Sequence, residues 1–132
     1  MLRRITLSEL KERRESNPGL VLVETLSEGH YRKHHIPCAI NIPRDEVDEL
    51  APRLLPDTGA EIVVYCFDAD CRSSEVAGER LQELGYTNVA DYHAGKQEWI
   101  DAGLPLERTI RFGSPPRTRK TVAPVAALGE AA

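Results

Sequence analysis

Short apolar runs and helical repeats alternate along most of the chain. Four runs have the length and the apolar content of buried strands: LVLVE (20–24), AINI (39–42), EIVVYC (61–66) and NVADY (88–92). Helical patterns cover five further segments: Thr6 or Ser8 to Asn17, then 28–34, 45–55, 73–86 and 96–103. Strands that alternate with helices in this way predict an α/β sandwich around a mainly parallel sheet.

The strongest helical pattern is SSEVAGERLQELGY, residues 73–86. Its apolar residues fall at helical spacing, and Gly85 stands where a helix places a left-handed residue at its C-terminal end. Ser73 or Ser74 is available as the N-terminal cap. This helix therefore begins a few residues after the most apolar strand ends.

Composition limits the class of protein. With 132 residues, 41% of them hydrophobic and 29% charged, the chain suits one small domain. No apolar run has the length of a membrane span, and the N-terminal residues do not resemble a signal or transit peptide, so we expect a soluble, cytoplasmic protein with no membrane partner. Three cysteines without zinc-ligand spacing predict neither a disulfide framework nor a metal site.

The C-terminal part of the chain differs in charge. Residues 1–106 hold 12 basic and 19 acidic side chains, whereas residues 107–132 hold 5 and 2. The last segment combines two adjacent prolines, the basic cluster RTRK and then small residues. We predict a domain over 1–107 and a flexible tail over 108–132, whose basic cluster is a solvated stretch rather than a nucleic-acid site.

Cys66 lies where the apolar strand meets the loop CFDADCR. In a parallel sheet, ligand sites lie outside the carboxyl ends of the strands, and N–H groups at a helix start can hold an anion. The helix dipole, these N–H groups and Arg72 would lower the pKa of the Cys66 thiol, so that no separate base is required. The alternative is that Cys66 is an unreactive core cysteine at a strand end.

Four stretches resemble the rhodanese-like sulfurtransferases, and the resemblance covers roughly residues 5–107. LVLVETLSEGHYRKHHIPCAINIP is similar to the family's L-V-D-V-R, short helix and G-H-I-P-G-A-x-N-I-P segment. VVYC with its loop and helix resembles the active-site segment, and LQELGY closes that helix. AGKQEWIDAGLPLE resembles the ending G-G-x-x-x-W-x-x-A-G-x-P-V.

The resemblance implies a three-layer α/β domain that transfers a sulfane sulfur, carried as a persulfide on a loop cysteine. That cysteine would be Cys66, and the backbone of six residues would form the substrate-binding loop: Phe67, Asp68, Ala69, Asp70, Cys71 and Arg72. No metal or organic cofactor is expected. The expected partners are a small sulfur donor or a protein persulfide, and a thiol acceptor.

Two further functions remain open at this stage. The spacing Cys66-x5-Arg72 also resembles that of dual-specificity phosphatases and arsenate reductases of the same fold. Asp68 and Asp70 oppose this interpretation, because carboxylates in the loop repel phosphate and arsenate dianions. The third hypothesis is a non-catalytic binding or regulatory module, which an intact Cys66 disfavours.

Several positions depart from the family pattern or offer added chemistry. The family's Asp-Val-Arg is replaced by Glu24-Thr25-Leu26, so its arginine is absent, and Cys38 replaces a glycine, where we expect a packed small residue. Cys71 is a candidate resolving thiol, with an inward packing role as the alternative. We predict structural rather than ligand roles for the remaining aromatic and imidazole candidates: His30, His34, His35 and Trp99.

Overall fold

The computed structural model describes residues 2–109 and the backbone of residues 120–122. The strands are β1 (Arg3–Ile5), β2 (Val21–Glu24), β3 (Ile40–Asn41), β4 (Ile62–Tyr65), β5 (Val89–Tyr92), β6 (Leu106–Arg108) and β7 (Lys120–Val122). The helices are α1 (Leu7–Ser16), α2 (Glu28–Lys33), α3 (Val47–Leu54), α4 (Ser73–Glu83) and α5 (Gly95–Asp101), with a 3-10 turn at Arg44–Glu46. In this part of the chain, no helix has both the length and the apolar content needed to cross a membrane.

Five strands form one parallel sheet in the order β1-β5-β4-β2-β3. β4 occupies the centre, and all four of its residues are buried because helices cover both faces. This explains why its sequence is a continuous apolar run rather than an alternating one. The position also brings the carboxyl end of β4, and with it Cys66, to the middle of one sheet edge.

The sheet separates two apolar layers. On one face, Leu10, Tyr31 and Trp99 from α1, α2 and α5 pack with the sheet residues Tyr65 and Tyr92. On the other face, residues of α3 and α4 pack against Val64 of β4 and Val89 of β5. These helix residues are Val47, Ala51, Ala77 and Leu81. The predicted three-layer α/β sandwich is therefore confirmed.

Local sequence signals predicted most helices and strands to within a few residues of their observed bounds. Thr6 rather than Ser8 caps α1: its hydroxyl accepts from the Glu9 N–H at 3.1 Å, and Glu9 accepts from the Thr6 N–H at 2.8 Å. Gly85 has a φ of +105°, as predicted for the residue after α4. The expectation that Ser73 or Ser74 caps α4 is wrong, because Arg72 takes the cap position and Ser74 is fully buried.

The chain beyond the sheet contains one feature that the pattern did not predict. β6 pairs with β7 in antiparallel register, with Leu106 opposite Val122. β6 thus spans the boundary predicted after residue 107, and His35 forms an isolated bridge with Glu107. The rest of the predicted tail, residues 110–119 and 123–132, lies outside the described residues, and most of the RTRK cluster falls there.

Candidate active site

Cys66 follows β4 directly and is buried, with 1% of its surface exposed. Residues 67–72 form the loop that leads to α4, whose first residue is Ser73. Phe67 and Asp70 are exposed at this loop, whereas Cys71 is half-buried. The structure thus places the predicted nucleophile at the carboxyl edge of the parallel sheet, where such folds build their sites.

The first turn of α5 holds the backbone on which Cys66 sits. The Lys96 N–H donates to the Cys66 carbonyl at 2.9 Å, and the Gln97 N–H donates to the Phe67 carbonyl at 2.7 Å. Gly95 makes this approach with a φ of +78°, and a Cβ there would lie 2.7 Å from the Cys66 carbonyl oxygen. Only glycine fits this contact without a shift of the backbone.

We expect Gly95→Ala to destabilise the fold by at least about 1–3 kcal/mol, because it adds both a strained φ and a backbone clash. Gly103→Ala is the matched control: it has a similar φ of +74° but nothing within 4 Å of a Cβ. The control should lose about 1 kcal/mol from the φ alone. Thermal unfolding of both variants measures the difference, and equal losses would show that the contact with Cys66 costs nothing.

Two backbone carbonyl oxygens and one hydroxyl surround the Cys66 sulfur. Its thiol lies 3.3 Å from the Cys71 carbonyl oxygen, 4.0 Å from the Asp68 carbonyl oxygen and 3.4 Å from the Ser74 hydroxyl. Burial, reinforced by the neighbouring Cys71, raises the pKa of the Cys66 thiol to about 11. The predicted lowering of this pKa is therefore wrong, because burial of the sulfur and its interaction with the Cys71 side chain outweigh the hydrogen bonds from the Ser74 hydroxyl and N–H, which lower the pKa.

Backbone N–H groups at the start of α4 and in the loop also approach the second cysteine, Cys71. Burial opposes ionisation of Cys71, but hydrogen bonds from the Cys66 thiol and from the backbone N–H groups of Ser73 and Phe67 lower the pKa of the Cys71 thiol. Cys71 is also more exposed than Cys66.

The two loop carboxylates differ in orientation. Asp68 turns back on the loop: its Oδ1 accepts from the N–H groups of Asp70 at 3.1 Å and Cys71 at 3.2 Å. This is an Asx-type turn that stabilises the loop backbone. Asp70 is exposed, so only Asp68 has a structural part in the loop.

Arg72 does not contact the Cys66 sulfur. Its side chain is 71% exposed, and its guanidinium pairs with Glu75 one turn along α4 at 3.1 Å. An exposed pair of this kind contributes little to stability. In this structure, therefore, the arginine of the Cys66-x5-Arg72 spacing binds a carboxylate of its own helix.

The model for the rhodanese-like domain matches residues 6–102 of the chain. The chain belongs to the rhodanese-like domain family. An HTH-type transcriptional regulator of Mycobacterium tuberculosis is 39% identical over 110 residues, which are 83% of this chain and 46% of the regulator. The thiosulfate sulfurtransferase PspE of Escherichia coli is 42% identical over 59 residues, 45% of this chain and 55% of PspE.

The structural comparison agrees with the family match. The crystal structure of a Bacillus halodurans protein shares the fold with a TM-score of 0.73 at 23% identity, covering 82% of this chain and 78% of that one. This rhodanese-like chain spans about half the length of the curated relatives it matches.

This rhodanese-like domain contains a buried ion pair between Glu24 and Lys96. Leu26 stands at the position of the family's arginine. The Lys96 Nζ, on a side chain 1% exposed, donates to Glu24 at 3.0 Å and to the His34 carbonyl at 2.7 Å. The Tyr65 hydroxyl donates to Glu24 at 2.6 Å. Burial raises the pKa of Glu24 and lowers that of Lys96, and their mutual attraction opposes both shifts. No pattern in the sequence pointed to Lys96.

The expectation that Cys38 is a packed small residue is wrong. It is exposed and has a φ of +71°, the left-handed region in which a glycine is unstrained. This explains why the rhodanese-like pattern has glycine at that position. The Cys38 N–H donates to Glu107 at 3.0 Å, which holds the strained residue in place.

The other imidazole and aromatic candidates have structural surroundings. His35 is buried and stacks on Tyr31 with ring centroids 3.8 Å apart. The Trp99 indole packs in the core and donates to the Pro105 carbonyl at 2.8 Å. Within the described residues, no group of three or more side chains is arranged to hold a metal ion.

One acidic residue near the site was overlooked in the sequence. Asp91 lies in β5 and is fully buried. It is the charged residue in the segment VADY, whose other residues are apolar or aromatic. A charged residue inside an otherwise buried strand is the signal that could have identified it. It faces the same side of the sheet as Ser74, the residue whose hydroxyl contacts the Cys66 sulfur.

Proposed function

We propose that this rhodanese-like domain is a sulfurtransferase that carries a sulfane sulfur as a persulfide on Cys66 and passes it to a thiol or another nucleophilic acceptor. The position of Cys66 is the observation that carries the proposal. Its thiol lies at the carboxyl end of the central strand, at the start of a loop in which Phe67 and Asp70 are exposed to solvent. The activity in the name of PspE supports the same chemistry.

Each step of the reaction moves one sulfur. The Cys66 thiolate attacks the outer sulfur of thiosulfate, the S–S bond breaks, and sulfite leaves with the electron pair. An acceptor thiolate then attacks the outer sulfur of the persulfide, and Cys66 leaves as the thiolate. The cycle needs neither a metal nor an organic cofactor, and a free thiol acceptor fits a reducing compartment such as the cytoplasm.

Intact-protein mass spectrometry tests the proposal. The full chain is incubated with thiosulfate or polysulfide and then treated with cyanide. We expect a gain of one sulfur atom that cyanide removes, and catalytic turnover when a thiol acceptor is present in excess. A chain that gains no cyanide-labile sulfur from either donor would contradict the proposal.

The phosphatase or arsenate-reductase alternative receives less support from the site. Its chemistry needs a guanidinium over the sulfur to neutralise a dianion, whereas Arg72 pairs with Glu75. The Asp68 carboxylate, which lies within the loop, adds repulsion. Hydrolysis of an aryl phosphate or reduction of arsenate, in the absence of sulfur transfer, would favour this alternative.

A regulatory role is favoured by one observation, the similarity to a transcriptional regulator of which this chain covers 46%. In such a protein, the domain would bind a sulfur species and signal it rather than turn it over. A persulfide that forms on Cys66 but reacts with no thiol acceptor would support a sensor. Rapid transfer would support the enzyme.

We also propose that Cys71 is a resolving thiol. The Cys66 thiol hydrogen-bonds the Cys71 carbonyl at 3.3 Å, and the two side chains interact. The Cys71 thiolate would attack the Cys66 sulfur of the persulfide, the bond to the outer sulfur would break, and hydrosulfide would leave. The product is a Cys66–Cys71 disulfide, whose formation requires the two Cα atoms to come within about 7 Å.

Cys71→Ser tests this role. Without an acceptor, the wild-type persulfide should decay to the disulfide and release one hydrosulfide per chain, whereas the variant should keep its persulfide several-fold longer, because no second thiolate is next to it. Sulfide release and the mass of the chain measure both outcomes. Equal decay in the two proteins would leave Cys71 a packing residue only.

A further inference from the structure

Both peptide groups that flank the Cys66 α-carbon are held by hydrogen bonds from neighbouring elements. The carbonyl of Tyr65, in the peptide before Cys66, accepts from the Thr25 N–H at 2.9 Å and from the Thr25 hydroxyl at 3.1 Å. The carbonyl of Cys66, in the peptide after it, accepts from the Lys96 N–H at 2.9 Å. Because peptide groups are planar, fixing both of them restricts the two backbone dihedral angles of Cys66, which set the direction of its side chain.

The side chains of Tyr65 and Lys96 meet at one carboxylate. Glu24 Oε1 accepts from the Tyr65 hydroxyl at 2.6 Å, and Glu24 Oε2 accepts from the Lys96 Nζ at 3.0 Å. All three residues are buried. One carboxylate therefore joins the residue before Cys66 to the residue whose N–H holds the Cys66 carbonyl.

Each of the two donors to Glu24 has a second partner in the segment after α2. The Tyr65 hydroxyl accepts from the Ile36 N–H at 3.0 Å, and the Lys96 Nζ donates to the His34 carbonyl at 2.7 Å. Replacing a buried ion pair with apolar residues of similar volume is often neutral for stability or stabilises a fold. Stability alone therefore does not explain why a carboxylate and an ammonium group are buried behind Cys66.

We propose that Glu24 is a positioning residue for the Cys66 nucleophile. Its carboxylate holds the Tyr65 and Lys96 side chains at a fixed separation, and these three residues form what we call the Glu24 clamp. The clamp keeps the two peptide groups around Cys66 in the orientation that directs the sulfur into the loop. Glu24 acts through Tyr65 and Lys96 rather than on the substrate, and the inference rests on the sulfurtransferase function proposed above.

Tyr65→Phe tests the clamp, because it opens one side and leaves the ion pair between Glu24 and Lys96 in place. We expect kcat for thiosulfate, with a thiol acceptor in excess, to fall about 10- to 100-fold, since a displacement of about 1 Å at the reacting atom costs rate. KM for thiosulfate should change by less than about threefold, because the donor still binds to the same loop. Steady-state kinetics of the full chain measure both constants.

Tyr86→Phe is the matched control. Tyr86 is buried in the other apolar layer, and its hydroxyl donates to the carbonyls of Ala51 and Leu55 at 3.1 and 2.6 Å. Each tyrosine variant loses a buried hydroxyl with two hydrogen bonds, so thermal unfolding should show a similar fall in Tm of roughly 5–10 °C for both. The control should keep the kcat of the wild type, whereas a merely structural role for Tyr65 would give both variants the same kcat.

Amide hydrogen exchange, followed by NMR on the full chain, tests the clamp without a sulfur donor. The N–H groups of Lys96 and Gln97 bind the carbonyls of Cys66 and Phe67, and their exchange reports how firmly this contact is held. In Tyr65→Phe, exchange at these two amides should accelerate roughly tenfold more than exchange at the slowest amides, which follow global unfolding. In Tyr86→Phe it should accelerate no more than exchange at the slowest amides.

The two measurements together decide the outcome. A folded Tyr65→Phe with the kcat of the wild type would overturn the proposal, as would equal losses of kcat in the two tyrosine variants. Exchange at Lys96 that only follows global unfolding would also overturn it. If the wild type forms no persulfide but Tyr65→Phe shows the local exchange effect, the clamp is retained and the sulfurtransferase function is rejected.

Discussion

Cys66→Ser is expected to lose sulfur transfer by about three orders of magnitude or more, because a serine hydroxyl neither ionises at neutral pH nor forms a persulfide. The measurement is the cyanide-labile sulfur on the intact chain together with turnover of thiosulfate. The fold should remain, since serine keeps the shape of the buried side chain and can still hydrogen-bond Ser74 and the Cys71 carbonyl.

Cys38→Ser is the matched control for this variant. Cys38 is exposed and lies outside the loop, so it would acquire sulfur only by unassisted reaction with polysulfide. This control should therefore retain both the persulfide and the turnover of the wild type. If Cys66→Ser kept its activity and Cys38→Ser lost it, the nucleophile would have been assigned to the wrong cysteine.

Lys96→Met is expected to lower the free energy of unfolding by about 3–5 kcal/mol, because it leaves Glu24 as a buried charge without its partner. Glu24 is fully buried, and Lys96 provides its counter-charge from 72 positions along the chain. A loss of this size corresponds to a fall in Tm of roughly 10–20 °C. Urea unfolding followed by circular dichroism measures it.

The same variant should depend on pH in a defined direction. Burial raises the pKa of Glu24 above its usual value, and the loss of Lys96 removes the largest contribution that opposes the shift, leaving the hydrogen bond from the Tyr65 hydroxyl. The folded variant then binds a proton that the unfolded chain releases. Stability should consequently be greatest below the unfolded pKa of Glu24 and should fall as the pH rises through the folded one.

Two further variants test whether the loss of stability in Lys96→Met comes from the buried Glu24–Lys96 pair. Glu24→Gln combined with Lys96→Met removes both charges and should recover most of the lost stability. Arg80→Met breaks an exposed pair with Asp48 and should leave the stability close to that of the wild type. A double variant as unstable as Lys96→Met alone would mean that packing, not charge, explains the loss.

The sequence predicted the elements whose apolar pattern reflects burial. β4 was recognised because both of its faces are covered, and α4 because one of its faces is. β1 was missed because Arg3 and Arg4 are exposed at the sheet edge and only Ile5 is buried. Edge strands of this length carry too little apolar periodicity to be separated from a loop.

The place of Cys66 in the fold could be predicted from the sequence, but the electrostatics around its sulfur could not. The position of Cys66 followed from the strand, the loop and the helix after it. The direction of its pKa shift depends on how deeply the sulfur is buried and on how the Cys71 side chain meets it, and both are set by loop dihedral angles that local composition does not encode. The contacts of Cys66 with Ser74, and of Glu24 with Lys96, arise only when distant segments pack together.

The backbone of Cys66 is positioned by residues of α5, which are synthesised after it. Gly95, Lys96 and Gln97 lie about thirty positions after the residues whose carbonyls they approach or bind. A nascent chain that has not yet exposed these residues contains the cysteine but not the donors that position it. The active loop therefore takes its final form late, after the last helix of the domain has left the ribosome and docked.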